Sequence, residues 1–325
     1  MKKIITYTKG NVSLLGLIIV FVLGALVSRT FISPDNLSNL LRSASFIGFI
    51  AIGMTFVVLC GSIDISVGSL FALSGYLFII NADKGIFFAI LFPVLAGIAV
   101  GIVNGFLINE LTIPPFIGTM ATMLLVKGIV LLCTGESTVK GPKLEGIMKS
   151  LGRGSVLEYL AVPFLVFLVF LLFSDYILKR REIGRNMYIV GGNEEAARMM
   201  GVSAKKTKYI AHIFCSTLTA VGGILFASRV GSAAPLAGSG YEMYAIAAVV
   251  IGGASLMGGV GKMVGTLFGT LIMGSFSNIF NLQKFINPVW QDVIVGTVLL
   301  LVIVIQAVVH LPEFKKIKQL FTNRL

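Results

Sequence analysis

Residues 179–208 read KRREIGRNMYIVGGNEEAARMMGVSAKKTK and separate two long apolar runs. We call this stretch the polar island. It holds eight basic and three acidic residues in a chain of which only 12% is charged. The island carries about a third of the basic residues of the whole sequence, so it must lie where water can reach it.

The polar island contains start and stop signals for a short helix. Asn193 is a good N-cap, Glu194 and Glu195 place negative charge in the first turn, and Gly201 supplies a stop. These signals predict a helix over Glu194–Met200. A helix of about two turns is unstable alone in water. We therefore expect it to pack on a surface, and the two methionines at its end provide adaptable contacts.

The remainder of the sequence predicts an all-α protein that crosses a membrane many times. The chain has 325 residues, 56% of them hydrophobic, and a mean hydropathy of +0.96. Apolar runs of about 20 residues recur along it, the length that a lipid bilayer requires. We predict about ten spans in one transmembrane domain, residues 1–325, which includes the island. They cover residues 12–28, 41–60, 67–80, 86–108, 115–134, 157–178, 208–229, 243–258, 262–281 and 291–310.

The basic residues predict the orientation of these spans. The net charge of +12 lies mostly in short loops and at the termini, which argues against nucleic acid as a partner. Lys and Arg concentrate in the cytoplasmic loops of membrane proteins. An even number of spans, with six before the island, places both termini and the island in the cytoplasm. The largest outer loop, residues 135–158, is predicted to hold at most a short surface helix.

Two apolar runs are interrupted by glycines and polar residues, at Leu59–Leu70 and Val250–Gly265. Broken backbone at membrane depth is tolerated where protein shields it or where it lines a watery cavity. We therefore expect both breaks beside a translocation path. The candidate path residues are Asp64, Ser66, Gly68, Ser69, Gly252, Gly253 and Ser255.

The two interrupted runs also suggest an internal repeat. Val57–Ser62 resembles Val249–Ala254, and spans two to five pair with spans seven to ten. An offset of five spans predicts two halves of inverted orientation, as in many transporters.

Chemistry-bearing residues at membrane depth are few. Asp64 is the most informative, since intramembrane charge is costly and usually functional. It could cap a broken helix, bind hydroxyl groups of a substrate or form an ion pair. His212 and His310 fall at span ends, which predicts interfacial packing. No nucleotide-binding or hydrolase motif is present in the sequence.

Four blocks of sequence resemble one known family in the same order. CGSIDISVGSLFALSG (residues 60–75) closely resembles the signature of ribose-type permease subunits of bacterial ABC importers. PPFIGTMATM (114–123), IGRNMYIVGGNEEAARMMGVS (183–203) and IGGASLMGGVGKMVGTLFGTLIMG (251–274) resemble further family blocks. Cys60 stands where the family usually has glycine.

The resemblance implies a permease subunit in the bacterial cytoplasmic membrane that imports a small sugar or sugar-like solute. The implied partners are cytoplasmic ABC ATPase subunits, an extracytoplasmic solute-binding protein and a second permease copy or paralogue. ATP and Mg²⁺ would bind to the ATPase, and this chain would bind no cofactor and catalyse no reaction. Residues 179–208 would form the coupling loop, with docking residues Gly191, Gly192, Asn193, Glu194, Glu195, Ala196, Ala197, Arg198 and Gly201.

Two other functions stay open on the residues alone. An ion- or proton-coupled secondary carrier would also have broken helices and a repeat, although such a carrier normally needs a relay of carboxylates. A membrane-embedded scaffold or enzyme is the third possibility.

Overall fold

The fold was derived from a computed structural model that describes residues 12–142, 144–156, 159–283 and 289–310. Its helices are α1 (Val12–Val27), α2 (Pro34–Leu59), α3 (Val67–Ile80), α4 (Ile86–Asn109), α5 (Pro115–Thr134), α6 (Gly146–Arg153), α7 (Val162–Arg180), α8 (Glu182–Gly192), α9 (Glu194–Met199), α10 (Ala204–Val230), α11 (Tyr241–Ile251), α12 (Met263–Leu282) and α13 (Val289–His310). Two-residue strands are β1 (Val139–Lys140), β2 (Ser155–Val156), β3 (Leu160–Ala161) and β4 (Ser232–Ala233). The prediction of an all-α multi-pass membrane protein is confirmed.

Local capping explains where several spans differ from the prediction. Ser33 accepts a hydrogen bond from the amide of Asn36, and Pro34 occupies the first turn, so α2 begins seven residues before residue 41. Ser203 caps α10 in the same way. The predicted span 157–178 begins at Val162 instead, and the predicted span 243–258 is wrong beyond Ile251, where α11 ends.

Within the described residues, six helices are long and apolar enough to cross a membrane: α2, α4, α5, α7, α10 and α12. α3 and α11 are shorter, with 14 and 11 residues. At 1.5 Å per residue they span about 21 and 16 Å, less than the ~30 Å of a hydrocarbon core. Both predicted interruptions are therefore confirmed as ends of helices.

The core of the bundle is built around α2 and α10. In the 18-residue apolar stretches of α2 and α10, 83% and 67% of the residues are buried, whereas only 28% are buried in the same stretches of α4 and α5. α10 packs most extensively against α4, α2 and α3. The contact with α4 is close because Gly97 and Gly101 lie directly against the backbone of α10.

The bundle has two distinct ends. The connector end carries α8 and α9, together with the end of α2, the start of α10 and the end of α11. The opposite end carries α6 and the short strands, with β1 antiparallel to β4. There Gly152 lies against the backbone of Arg229, and the Arg153 side chain donates to the Arg229 carbonyl at 2.6 Å. The predicted short surface helix within residues 135–158 is confirmed as α6.

Candidate functional site

The predicted helix of the polar island is present as α9. The Asn193 side chain accepts a hydrogen bond from the amide of Ala196 at 2.9 Å, and Gly201 ends the turn with φ +77°. Ala197 is fully buried between α8 and α10, against Val190 and Ala204. The island also contains α8, a helix that the sequence analysis missed. Gly191 and Gly192 belong to α8 and not to a loop before the cap.

Charged contacts fasten α9 to the bundle. The Glu194 carboxylate accepts from Lys208 of α10 at 2.6 Å and from Arg198 at 2.7 Å. Lys205 pairs with Glu110 at 2.8 Å. The hydrogen bond from Lys208, assisted by Arg198, lowers the pKa of Glu194 below its usual range. Lysines at the start of α10 therefore serve contacts within the chain, a role that the sequence analysis did not foresee.

The depressed pKa of Glu194 predicts how acid affects α9. The ionised carboxylate stabilises α9. This stabilisation is complete above the ordinary glutamate pKa of about 4.3, and it is lost as the pH falls through the lower pKa of the folded state. Glu194→Gln should remove it at every pH. We expect the α9 amides of this variant to exchange a few-fold faster than wild type at neutral pH, since the pair is partly exposed.

Hydrogen exchange corrected for the intrinsic chemical rate measures this effect. Wild-type protection of α9 should fall below about pH 4, whereas the variant should show no such transition. Lys179→Met, which removes a pair with Asp175 on α7, serves as the control and should leave α9 unchanged. Equal protection in wild type and Glu194→Gln would contradict the fastening role.

A glycine junction joins α8 to both helix breaks. We define it as Gly61, Gly191, Gly258 and Gly259, with Leu59. The Gly259 amide donates to the Leu59 carbonyl at 3.0 Å. A Cβ on Gly191 would overlap that same carbonyl oxygen and lie 2.6 Å from the Gly259 nitrogen. Backbone therefore meets backbone here, and any displacement of α8 is passed directly to the end of α2 and to residues 252–262.

Asp64 lies in a buried polar cluster formed by Ser62, Asp64, Ser66, Asn104 and His212. Asp64 is fully buried and accepts hydrogen bonds from the amide and hydroxyl of Ser66, at 2.9 and 2.6 Å. Asn104 of α4 donates to the second carboxylate oxygen at 3.1 Å. His212 Nδ1 lies 3.4 Å from that oxygen, and its Nε2 lies 3.0 Å from the Ser62 hydroxyl. The cluster fixes the polypeptide between α2 and α3 against α4 and α10.

The prediction that His212 packs at an interface is wrong. The ring is fully buried in the third turn of α10, because the break after α2 folds back towards it. Asn104 was also missed, although an asparagine in an apolar span is a detectable signal. His310 lies in α13 in a part of which side chains are not described. In the described residues, no group of three or more His, Cys, Asp or Glu side chains is placed to bind a metal ion.

The predicted path residues do not form one cluster. Asp64 and Ser66 are buried in the polar cluster, and Gly68 lies against Gly238 and Glu242, with Ser69 half-buried beside it. Glu242 and Gly252 are ten positions apart along α11 and its C-cap, a distance of about 15 Å. The other three candidates lie at the connector end. Gly252 packs on Gly265, and Gly253 has a φ of +91°. The amide of Ser255 donates a hydrogen bond to the carbonyl of Val260.

Known proteins match the chain over most of its length. The family model described as "Branched-chain amino acid transport system / permease component" matches residues 36–303. The ribose import permease protein RbsC of Haemophilus influenzae is 37% identical over 295 residues, covering 90% of this chain and 91% of that protein. RbsC of Bacillus subtilis is 37% identical over 293 residues, 90% of each chain.

A third relative is named for a different solute. The autoinducer 2 import system permease protein LsrC of Yersinia pestis is 32% identical over 321 residues, which is 98% of this chain and 90% of that protein. No solved structure matches. The matched region contains both helix breaks, the polar cluster and α9. The chain is therefore a member of this family of membrane permease components, a transport subunit rather than an enzyme.

Proposed function

We propose that this chain is the membrane-spanning subunit of an ATP-driven, binding-protein-dependent importer of a small sugar or sugar-like solute. The observation that carries the proposal is α9, a short capped helix fixed to the bundle with its end exposed. Met199 is 91% exposed and Met200 63%. Exposed methionines on a rigidly held helix offer an adaptable docking surface for a soluble protein. The relatives named as ribose and autoinducer 2 import permeases support the solute class.

We place the connector end in the bacterial cytoplasm, where α9 docks on an ABC ATPase that binds ATP and Mg²⁺. The basic residues of the island support this orientation, which also puts both chain termini inside. A groove of about 550 Å³ beside α9, lined by Asn186, Ser203 and Lys206 among others, offers room for side chains of that partner. A solute-binding protein would meet the opposite end, and a second permease copy or paralogue would complete the path.

We propose further that ten helices cross the membrane as an inverted repeat of α2–α5 and α10–α13. Each half has a long helix, a short one and two long ones, with 26, 14, 24 and 20 residues against 27, 11, 20 and 22. The break at residues 60–66 then corresponds to residues 231–240, and not to residues 252–262. The contact of Gly68 with Gly238 supports that pairing, since Gly68 lies in the first turn of α3 and Gly238 lies three residues before α11.

Uptake into proteoliposomes tests the function. The chain would be reconstituted with a candidate ABC ATPase and a candidate solute-binding protein. Solute accumulation that requires internal ATP supports the importer. Accumulation driven by a proton gradient without the ATPase would identify a secondary carrier instead.

Met199→Glu should uncouple this complex. The side chain is exposed, so the change leaves the fold intact, while it places a charge in an apolar contact. We expect at least tenfold weaker binding of the ATPase, measured by co-purification, together with a matching loss of uptake. Ile147→Glu, on α6 at the opposite end and 70% exposed, is the control for added charge in the co-purification and should leave binding of the ATPase unchanged. Unchanged ATPase binding by Met199→Glu would remove α9 from the interface.

A further inference from the structure

An exposed apolar surface lies at the connector end, apart from α9. It belongs to the α11–α12 turn, which we define as residues 252–262. Met257 is 83% exposed and Val260 is 58% exposed, whereas Ala254 and Gly258 are buried against the bundle. The turn therefore has an inner face that packs on the protein and an outer apolar face that no described residue covers.

Backbone hydrogen bonds hold the α11–α12 turn in one shape. The Ser255 amide donates to the Val260 carbonyl at 2.9 Å, and the Gly258 amide donates to the Ser255 carbonyl at 3.0 Å. The Ser255 hydroxyl accepts a hydrogen bond from the amide of Met257 at 3.2 Å. Because the backbone on both sides of Met257 is fixed, a partner that binds this side chain does not have to order a loose loop first.

The α11–α12 turn rests on α8, immediately before α9. The Tyr188 hydroxyl of α8 donates to the Gly261 carbonyl at 2.9 Å. At the glycine junction, Gly259 lies against the backbone of Gly192, and the next residue in the chain is Asn193, the cap of α9. The outer face of the turn and the exposed side of α9 are therefore neighbours on one support.

The place of the turn in the bundle keeps its outer face away from lipid. The turn follows directly on α11, in which residues 245–250 are all buried, and it is bonded to the end of α2, the most buried of the six long helices. Lipid reaches the perimeter of a bundle, where α4 and α5 expose their side chains, and not the ends of central helices. The outer face therefore meets the aqueous side. An apolar face held in water marks a site of interaction with another protein.

The small size of α9 indicates which protein that is. α9 has six residues, whereas a stable protein interface takes about 20–30 residues from each side. A protein that docks on the two methionines of α9 must also cover the surface around them. The outer face of the turn is adjacent and apolar, and it offers another exposed methionine, a residue type enriched in interfaces.

We propose that the outer face of the α11–α12 turn is a second contact for the ABC ATPase, with Met257 inserted in an apolar recess of that partner. Lys262, exposed at the end of the turn, favours an acidic group at the rim of the recess. This inference rests on the proposed import function and extends its docking surface beyond α9. The turn is one of the two helix breaks, and the Leu59 carbonyl joins it to the other, so a push on Met257 reaches both without passing through α9.

Photo-crosslinking in the assembled complex tests this contact. The parent is Cys133→Ser, because Cys60 and Cys215 are buried and Cys133 is exposed. Met257→Cys, Met199→Cys and Ile147→Cys would each carry a thiol-reactive benzophenone in a complex of permease, candidate ABC ATPase and candidate binding protein. We expect position 257 to give at least tenfold more adduct with the ATPase than position 147 at the opposite end.

The crosslinked product separates the inference from the function on which it rests. An ATPase adduct from position 199 but not from position 257 would overturn the second contact alone. An adduct between two permease copies from position 257, or adducts with lipid only, would overturn it in the same way. No ATPase adduct from either position would contradict the docking role of α9 as well, and with it the proposed function.

A pair of substitutions at the same position measures the energetic weight of the contact. Met257→Glu should weaken co-purification of the ATPase at least fivefold, because it places a charge in an apolar recess, whereas Met257→Leu should retain binding. Both variants should keep the wild-type unfolding midpoint, since the side chain is exposed. Equal ATPase binding by the two variants would overturn the proposal.

Discussion

Replacing Gly191 by alanine should destabilise the protein and stop transport, although it adds only one methyl group. The new Cβ would overlap the Leu59 carbonyl oxygen and press on the Gly259 nitrogen, and both are backbone atoms that cannot rotate away. Overpacking of this kind costs about 1–3 kcal/mol. We expect a lower thermal unfolding midpoint in detergent and at least a tenfold loss of uptake, because α8 must separate from one of the two breaks.

The neighbouring residue provides a matched control. Gly192 is on the same helix, and a Cβ there would meet nothing within 4 Å. Gly192→Ala should therefore leave the unfolding midpoint unchanged or raise it slightly, since alanine is favoured in helices. Equal destabilisation by the two substitutions would show that the close contact of Gly191 in the glycine junction is not responsible.

Replacing Asp64 by leucine should have the largest effect on folding. The change removes the acceptor for the Ser66 amide and for Asn104, and it leaves His212 buried beside a hydrocarbon side chain. Breaking a buried, hydrogen-bonded charge network by removing one member costs about 3–5 kcal/mol. We expect little monodisperse protein by size-exclusion chromatography and a strongly lowered unfolding midpoint.

Asp64→Asn separates shape from charge. Asparagine keeps one acceptor oxygen at the same place, so its loss of stability should be clearly smaller than that of the leucine variant. Asp83→Asn, at an exposed position between α3 and α4, should behave like wild type. If Asp64→Leu proved as stable as wild type, the cluster would have no structural role.

Features decided by neighbouring residues were predictable from the sequence. The cap at Asn193, the stop at Gly201 and the end of α2 each depend on residues a few positions apart. About ten spans were predicted from composition, and within the described residues six helices are long and apolar enough to cross a membrane. α8 was missed because its charged first residues resemble a solvated loop, while its apolar face packs on the bundle.

Features decided by distant residues were not predictable in the same way. His212 contacts Asp64 across 148 positions of sequence, so no local pattern could show that its ring is buried and not at the membrane interface. The glycine junction requires three separate segments to meet, and glycines in apolar runs have many other uses.

The deep burial of α2 has a consequence for biogenesis. Its polar side chains, including Ser45 and Thr55, are fully buried in the finished bundle, partly against α12, where Thr55 and Thr266 share a hydrogen bond at 2.7 Å. Yet α2 leaves the ribosome long before α10 and α12 exist, by roughly 10–30 s at ordinary rates of synthesis. During that interval α2 satisfies these hydroxyls by itself, because Ser45 donates to the Leu41 carbonyl at 2.6 Å and Thr55 donates to the Ala51 carbonyl at 2.8 Å, so the nascent segment can enter lipid before its later partners exist.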